Sequence, residues 1–379
     1  MINLNLDTLI VLEDGTSIKG TSIGSNGKKV SEIVFNTSMT GYQEVLTDPS
    51  YASQSVVFTY PHIGNTGVND EDYQSGSVFL DAMIVRDFSE YASSYRMKNT
   101  LQYLLLYYNI IGISNVDTRM LTRHIRNNGS MLGCISSNSI SQEEGLMMIE
   151  EYKKSKINLT KIVSTTKIRE YTSSDVGCYN SCQQYSSKEK NGKIVVVDFG
   201  VKRAILDNVA TRFSSVIVVP FDTNAKEIFD LYPDAVLLSN GPGDPRNMKA
   251  IIAEVKKIIK SAIPVLGICL GHQLVALACD GQIKKMKFGH HGSNHPVYFI
   301  PNGAVSISSQ NHSYCVSKVP PSLEVLSYSL FDNTIQGLKH KNLPVVTFQG
   351  HPEGSSGPLD CNFYFDLLVS LVEKKRIYA

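Results

Sequence analysis

The stretch Ile263-Pro264-Val265-Leu266-Gly267-Ile268-Cys269-Leu270-Gly271-His272-Gln273 constrains this chain more than any other. Its apolar run, Val265–Ile268, predicts a short buried strand, and the residues of 273–278 suit a helix. Cys269 stands between them in a Gly-x-Cys-x-Gly frame, the sulfur counterpart of a nucleophile elbow. A side chain on such a sharp turn projects from the sheet. Glycines permit the tight turn, and a helix N-terminus favours thiolate, the reactive form. The competing reading is a buried inert cysteine, since free cysteine packs like a small hydrophobe. The flanking glycines and the strand-to-helix setting favour the nucleophile.

Around the elbow, strand and helix patterns alternate. Continuous apolar runs at 194–197, 216–219 and 235–238 predict strands covered on both faces. Segments 201–212, 225–231 and 248–261 have helical spacing. Shorter strand-like pieces follow at 305–308, 323–327 and 344–348, and a last helix at 361–375. The expected fold for 193–379 is α/β, a doubly wound and mostly parallel sheet with helices on both faces. Residues 1–155 read as a mixed α+β domain. Strands are expected at 9–12, 16–23 (across the Asp14-Gly15 turn), 33–35, 55–59 and 78–85, and helices at 99–108 and 118–127. Arg119, Arg123 and Arg126 share a polar helix face, which is read as solvated, with an interface as the alternative. Between the domains, 156–192 is rich in Ser, Thr, Lys and Asn and reads as a linker. Cys178 and Cys182 in it read as loop thiols, since no second pair stands at zinc spacing.

A net charge of +1 over 379 residues gives no electrostatic footprint for nucleic acid or a membrane surface. No apolar run approaches the ~18 residues of a membrane span. The N-terminus has neither a secretory n-region nor an Arg-rich presequence, and the sparse cysteines fit a reducing compartment. The expected location is cytoplasmic, with plastid stroma open to an organelle-encoded chain. There is no Walker motif, so no ATP site is expected here.

Three further stretches carry chemistry. Ser239-Asn240-Gly241-Pro242-Gly243-Asp244-Pro245 follows a predicted strand, where loops line the crevice of a doubly wound sheet. Its exposed backbone N–H groups, with that of Leu270, suit an oxyanion beside Cys269; an ordinary Gly/Pro turn is the alternative. Gln349-Gly350-His351-Pro352-Glu353 supplies an imidazole to share the thiol's proton and a carboxylate to orient it. In extended backbone, residues i and i+2 point the same way, so His351 and Glu353 can lie together. The third stretch is Gln310-Asn311-His312-Ser313-Tyr314, with Phe288 to Pro296 before it. Its histidines suggest metal, but His290 and His291 are adjacent and no carboxylate completes a set, so a polar loop and no metal is expected.

Gly-Ile-Cys-Leu-Gly-His-Gln followed by Gly-His-Pro-Glu resembles the class I glutamine amidotransferase family. More narrowly, the chain resembles the family of small, glutamine-hydrolysing subunits of carbamoyl-phosphate synthetase. Motifs at 35–51, 59–65, 239–245, 285–296 and 349–353 carry that likeness, which includes the N-terminal domain. The resemblance implies a Cys269-His351-Glu353 triad that releases ammonia through a γ-glutamyl thioester. It implies L-glutamine held by Ser50, Gly241, Gly243, Leu270, Gln273, Asn311, Ser313 and Tyr314. It implies no cofactor in this chain, and a large partner subunit that carries ATP and Mg, receives the ammonia and docks the N-terminal domain. Where the family commonly has Asn-His-Gly-Phe, this chain has Asn311-His312-Ser313-Tyr314. If that glycine served a positive φ, Ser313 would be strained. Two other readings stay open: another thiol enzyme on this fold, and a non-catalytic binding subunit, which only Ser313 and Tyr314 favour.

Overall fold

A computed structural model describes residues 7–155, 157–172 and 191–378. They fall into two compact units, Met1–Leu159 with Lys287–His291, and Thr160–Met286 with Gly292–Ala379.

The first unit is built on strands β1 (Asp7–Leu12), β2 (Ser17–Ser22), β3 (Lys28–Asn36), β4 (Gln54–Phe58), β5 (His62–Ile63), β6 (Ala82–Ile84), β7 (Asp87–Phe88), β8 (Ile111–Ser114) and β9 (Met131–Ser136). Helices α1 (Tyr42–Leu46), α2 (Leu101–Tyr107), α3 (Thr118–Asn128) and α4 (Gln142–Lys153) connect or cover them. Seven strands close into a barrel in the order β1-β2-β8-β6-β4-β3-β9, while β5 and β7 pair separately. Strand alternation decides what lies on each face of this barrel. Ile33, Phe35, Val57, Ala82 and Ile84 join one apolar cluster. Their neighbours Val34, Val56 and Met83 join another, with Leu101, Leu104 and Leu105 of α2. Both faces are covered, so these strands read as unbroken apolar runs. The strand expected over 78–85 shrinks to β6; Val78 and Leu80 are buried outside it.

The second unit contains α5 (Leu159–Val163), β10 (Arg169–Tyr171), β11 (Asn191–Asp198), α6 (Arg203–Ala210), β12 (Phe213–Pro220), α7 (Ala225–Phe229), β13 (Ala235–Leu238), α8 (Lys249–Lys260), β14 (Val265–Ile268) and α9 (Leu270–Ala278). These are followed by β15 (Gln282–Phe299), β16 (Ala304–Lys318), β17 (Leu323–Ser329), β18 (Ile335–His340), β19 (Val345–Phe348) and α10 (Phe363–Tyr378). The ten-stranded order is β10-β12-β11-β13-β14-β19-β18-β17-β15-β16. Strands β12, β11, β13, β14 and β19 are parallel. The two faces alternate along β11: Ile194 and Val196 pack with α6 and α10, Val195 and Val197 with α7, α8 and α9. The doubly wound centre therefore stands, but the sheet is mixed rather than mostly parallel, since β10 pairs antiparallel with β12 at one side and the pairings β19-β18, β18-β17 and β17-β15 on the other side are antiparallel.

Two expectations change here. Segments 288–296 and 310–314 are not loops but lie within the long strands β15 and β16. Their His, Ser and Asn residues read as loop by composition, whereas the ladder satisfies the backbone whatever the side chains are. The segment 156–192 is not wholly linker, because β10 extends the sheet. Tyr171 is buried there and its hydroxyl donates to Asp207 Oδ1 at 2.6 Å. Cys178 and Cys182 lie outside the described residues. Among the described residues no helix is long and apolar enough to cross a membrane.

Candidate active site

The parallel strands β11, β13, β14 and β19 are neighbours, so the loops at their carboxyl ends gather on one edge, where doubly wound sheets bind ligands. The four loops carry Lys202, Ser239 to Pro245, Cys269, and Gln349 to Glu353.

Cys269 occupies the turn between β14 and α9 with φ 53° and ψ −101°. A non-glycine residue held there costs of order 1–3 kcal/mol, so the turn stores strain at the sulfur-bearing residue itself. Gly267 and Gly271, expected to supply the turn, do not have positive φ. They supply clearance: a Cβ on Gly271 would sit 2.1 Å from Leu238 O, and one on Gly267 2.8 Å from the Gly271 carbonyl. Gly271→Ala is expected to cost about 2 kcal/mol through overpacking, read by urea unfolding. An unchanged midpoint would show that the turn has room for a methyl.

The Cys269 N–H donates to Phe348 O at 2.9 Å, tying the elbow to the end of β19. Cys269 is 2 % exposed, and its sulfur has Asn311 O at 3.5 Å and Gln349 Nε2 at 3.8 Å. Next to β19, His351 Nδ1 meets Glu353 Oε1 at 2.7 Å. Both are buried, and His351 Nε2 has no hydrogen-bond partner in the described structure. The His351 N–H donates to Ser309 O, which anchors this loop to β16. Thus the imidazole has one nitrogen engaged and one open.

Glu353 has a second neighbour that sequence reading missed. Lys202 Nζ is 2.6 Å from Glu353 Oε1, and both side chains are almost wholly buried. Burial alone would raise the Glu353 carboxyl. The Lys202 ammonium, and then His351, hold it down at about 2 instead. Lys202 precedes α6 and its backbone N–H donates to Asn240 Oδ1 at 3.3 Å. The cue was positional, since Lys202 follows the carboxyl end of the first parallel strand. Gln349, quoted in the motif but given no role, links the sulfur to α9: its Oε1 accepts from Gln273 Nε2 at 3.1 Å.

In the Ser239 to Pro245 loop, Gly271 N–H donates to Ser239 O at 3.1 Å. A Cβ on Gly241 would meet Phe199 O at 2.2 Å, so only glycine fits there. Gly243 has φ +104°. Leu270 opens α9, and first-turn N–H groups of a helix have no intrahelical acceptor.

Gln273 Nε2 is already engaged by Tyr314 O at 2.9 Å as well as by Gln349. The Arg246 guanidinium lies 5.3 Å from the centre of the Tyr314 ring. Asn311, Ser313 and Tyr314 all lie on β16. Ser313 is not among the residues of positive φ, so the serine carries no backbone strain. Ser313→Gly is expected to lower stability by about 0.5–1 kcal/mol, the cost of glycine in a strand. A gain in stability on denaturant unfolding would restore the strain argument. Ser50 belongs to the first unit, in the turn Pro49–Tyr51, where its N–H donates to Asp48 Oδ1 at 2.9 Å.

His272 is buried against Thr347 Oγ1 at 2.8 Å, and burial pushes it down to about 3, so it is neutral at ordinary pH. Among the described residues no group of three or more His, Cys, Asp or Glu is placed to hold a metal.

Residues 10–135 match the family described as carbamoyl-phosphate synthase small chain, CPSase domain, and residues 195–371 match glutamine amidotransferase class-I. The carbamoyl phosphate synthase small chain of Thioalkalivibrio sulfidiphilus (strain HL-EbGR7) is 44% identical over 374 residues, covering 97% of this chain and 98% of its own length. That of Buchnera aphidicola subsp. Acyrthosiphon pisum is 44% identical over 379 residues, covering 97% and 96%. That of Acinetobacter baylyi is 43% identical over 381 residues, covering 98% and 100%. With both family matches in chain order and relatives that align from end to end, this chain belongs to the carbamoyl-phosphate synthase small-chain family and carries a class I glutamine amidotransferase domain.

Proposed function

We propose that this chain hydrolyses L-glutamine at Cys269 and passes the ammonia to a large synthetase chain, which uses ATP and Mg to make carbamoyl phosphate from bicarbonate. The product serves arginine and pyrimidine synthesis. The observation that carries this reading is the buried His351–Glu353 pair, with His351 Nε2 open, on the loop beside Cys269.

Cys269 gives its thiol proton to His351 Nε2, and the thiolate attacks the side-chain amide carbon of glutamine and forms a C–S bond. The oxyanion that develops is held by the Leu270 N–H with a backbone N–H from Gly241 or Gly243. The C–N bond then breaks, and the departing nitrogen takes a proton from His351 Nε2 and leaves as ammonia. The γ-glutamyl thioester remains. His351 next removes a proton from water; the hydroxide adds to the thioester carbon, and glutamate leaves as the Cys269 thiolate reforms. Glu353 holds the imidazole through Nδ1, and Lys202 keeps Glu353 ionised (a depressed carboxyl is what supports this). Gln273, Asn311, Ser313 and Tyr314 are the glutamine contacts proposed within the second unit. Ser50 enters through the family resemblance alone. The first unit, in which no triad residue lies, docks the large chain.

Glutamine hydrolysis by this chain alone, and with large chain, bicarbonate and ATP, tests the proposal. Slow hydrolysis that rises sharply with the partner supports it. Absence of hydrolysis by folded protein under both conditions overturns it.

A further inference from the structure

The triad chemistry makes no use of Gln349, although its side chain is fully buried beside the reacting sulfur. Its backbone N–H donates to Gln336 O at 2.7 Å, which fixes it at the end of β19. A buried primary amide is unfavourable unless its donors and acceptor are engaged, and here the direction of each amide has a cause. Tyr314 O is a backbone carbonyl and can only accept. It accepts from Gln273 Nε2 at 2.9 Å, which settles which end of the Gln273 amide faces β16. The same nitrogen donates to Gln349 Oε1 at 3.1 Å. The nitrogen end of Gln349 is therefore turned to Cys269, with Nε2 3.8 Å from the sulfur. A flipped Gln349 would set two NH2 groups against each other and its oxygen against the sulfur.

Two neighbours of the sulfur respond oppositely to its ionisation. Asn311 O, at 3.5 Å, accepts from the S–H of the thiol and has nothing to offer a thiolate. Gln349 Nε2 donates to the sulfur in either state, and more strongly to the charged one, because a hydrogen bond to an ionised acceptor is about twice as strong as a neutral one. The titratable and charged groups on the elements around Cys269 are His272 on α9, His312 on β16, His351 and Glu353 after β19, Lys202 before α6, and Asp244 with Arg246 after β13. Cys361 and Tyr364, at the start of α10, are kept protonated by burial. Among the described residues the Gln349 side chain bonds none of these, only Gln273 and the sulfur.

We propose that Gln349 is a further catalytic residue: its Nε2–H donates to the Cys269 sulfur and stabilises the thiolate that forms when the thiol proton passes to His351 Nε2. Gln273 acts through it as a positioning residue, because its amide keeps the Gln349 donor turned to the sulfur. This role rests on the proposed function, since it adds a group to that same site. Gln349 forms and breaks no covalent bond and keeps both of its amide hydrogens throughout. The two amides also tie the ionisation of the nucleophile to β16, the strand that carries Asn311, Ser313 and Tyr314.

The test compares the unaltered chain with Q349M and Q349E across pH. Methionine removes the donor and keeps the bulk. Glutamate keeps an oxygen for Gln273 Nε2 and puts a second oxygen where the donor stood. Two quantities are followed: kcat/KM for glutamine hydrolysis, and the rate of iodoacetamide alkylation at Cys269, measured on its peptide by mass spectrometry. In Q349M the midpoint of the acid limb, which reports thiolate formation in the free chain, is expected to move up by about one pH unit, the size of one hydrogen bond to an ionised group. In Q349E it is expected to move further up, since a carboxylate then faces the sulfur. At neutral pH kcat is expected to fall about 10-fold or more in both, with KM changed less. Alkylation rates of the three chains are expected to converge at alkaline pH, where the thiol is ionised in all of them, which also reports a folded and open site. If Q349M fails to fold, the midpoint of Q349E decides by the same criterion. A midpoint equal to that of the unaltered chain, or activity lowered by one factor at every pH, overturns the proposal and leaves the functional reading intact. A shifted alkylation midpoint, with no glutamine hydrolysis by the unaltered chain with or without the large chain, overturns the functional reading and supports the contact at the sulfur.

Discussion

Cys269→Ala is expected to abolish glutamine hydrolysis, with a loss of about four orders of magnitude or more, as for other nucleophile deletions in a triad. Ammonia-dependent carbamoyl phosphate formation by the complex is expected to continue, because the substitution leaves the large chain untouched. The buried methyl in place of the sulfur keeps most of the packing, and it relaxes no clash, since the positive φ belongs to the backbone. The two assays, run on the same complex, separate the functions. Loss of both activities in a folded, assembled complex would contradict the division of labour.

The second large effect is expected at Lys202. Lys202→Met leaves the Glu353 carboxylate buried without its cation, and breaking a buried pair costs about 3–5 kcal/mol. Glutamine hydrolysis should fall with it, because Glu353 loses the cation that chiefly holds its carboxyl down and so orients the His351 tautomer that presents Nε2 less firmly. The sign in pH follows from the depressed carboxyl. Glu353 is held at about 2 in the fold against 4.5 ordinarily. Its stabilisation is complete above 4.5 and is lost as pH falls from there through 2. Removing Lys202 should erase that acid-side contribution, so the stability gap between parent and variant narrows as pH falls through this window. The double variant K202M/E353Q is expected to recover stability but not hydrolysis, because a neutral pair needs no counter-charge. Parent-like stability and hydrolysis in Lys202→Met would show that the buried pair contributes to neither.

The central sheet was legible because burial on both faces writes apolar runs into β11, β12, β13 and β14, and the helices between them have period-3.6 patterns. The elbow was legible from one cysteine between two glycines. Their physical role was not: Cys269 makes the turn, and Gly267 and Gly271 make room for it. Strand β15 and the part of β16 beyond 305–308 were hidden because their polar residues resemble a loop, while their structure comes from backbone ladders that side-chain chemistry does not advertise. Strands β8 and β9 and helix α4 were also unread, because closing the barrel rather than local pattern fixes the short β8 and β9. His351 and Glu353 were readable as a pair two residues apart. Lys202, about 150 residues away, was not, since its place beside Glu353 depends on two parallel strands ending at the same sheet edge.

The most direct test is the covalent intermediate itself. The chain would be mixed with glutamine, quenched in acid within the first turnover, digested and mapped by mass spectrometry. A γ-glutamyl adduct confined to the peptide that carries Cys269, and absent from Cys269→Ala, is the expected result. An adduct on another residue, or hydrolysis that persists in Cys269→Ala, would contradict Cys269 as the nucleophile.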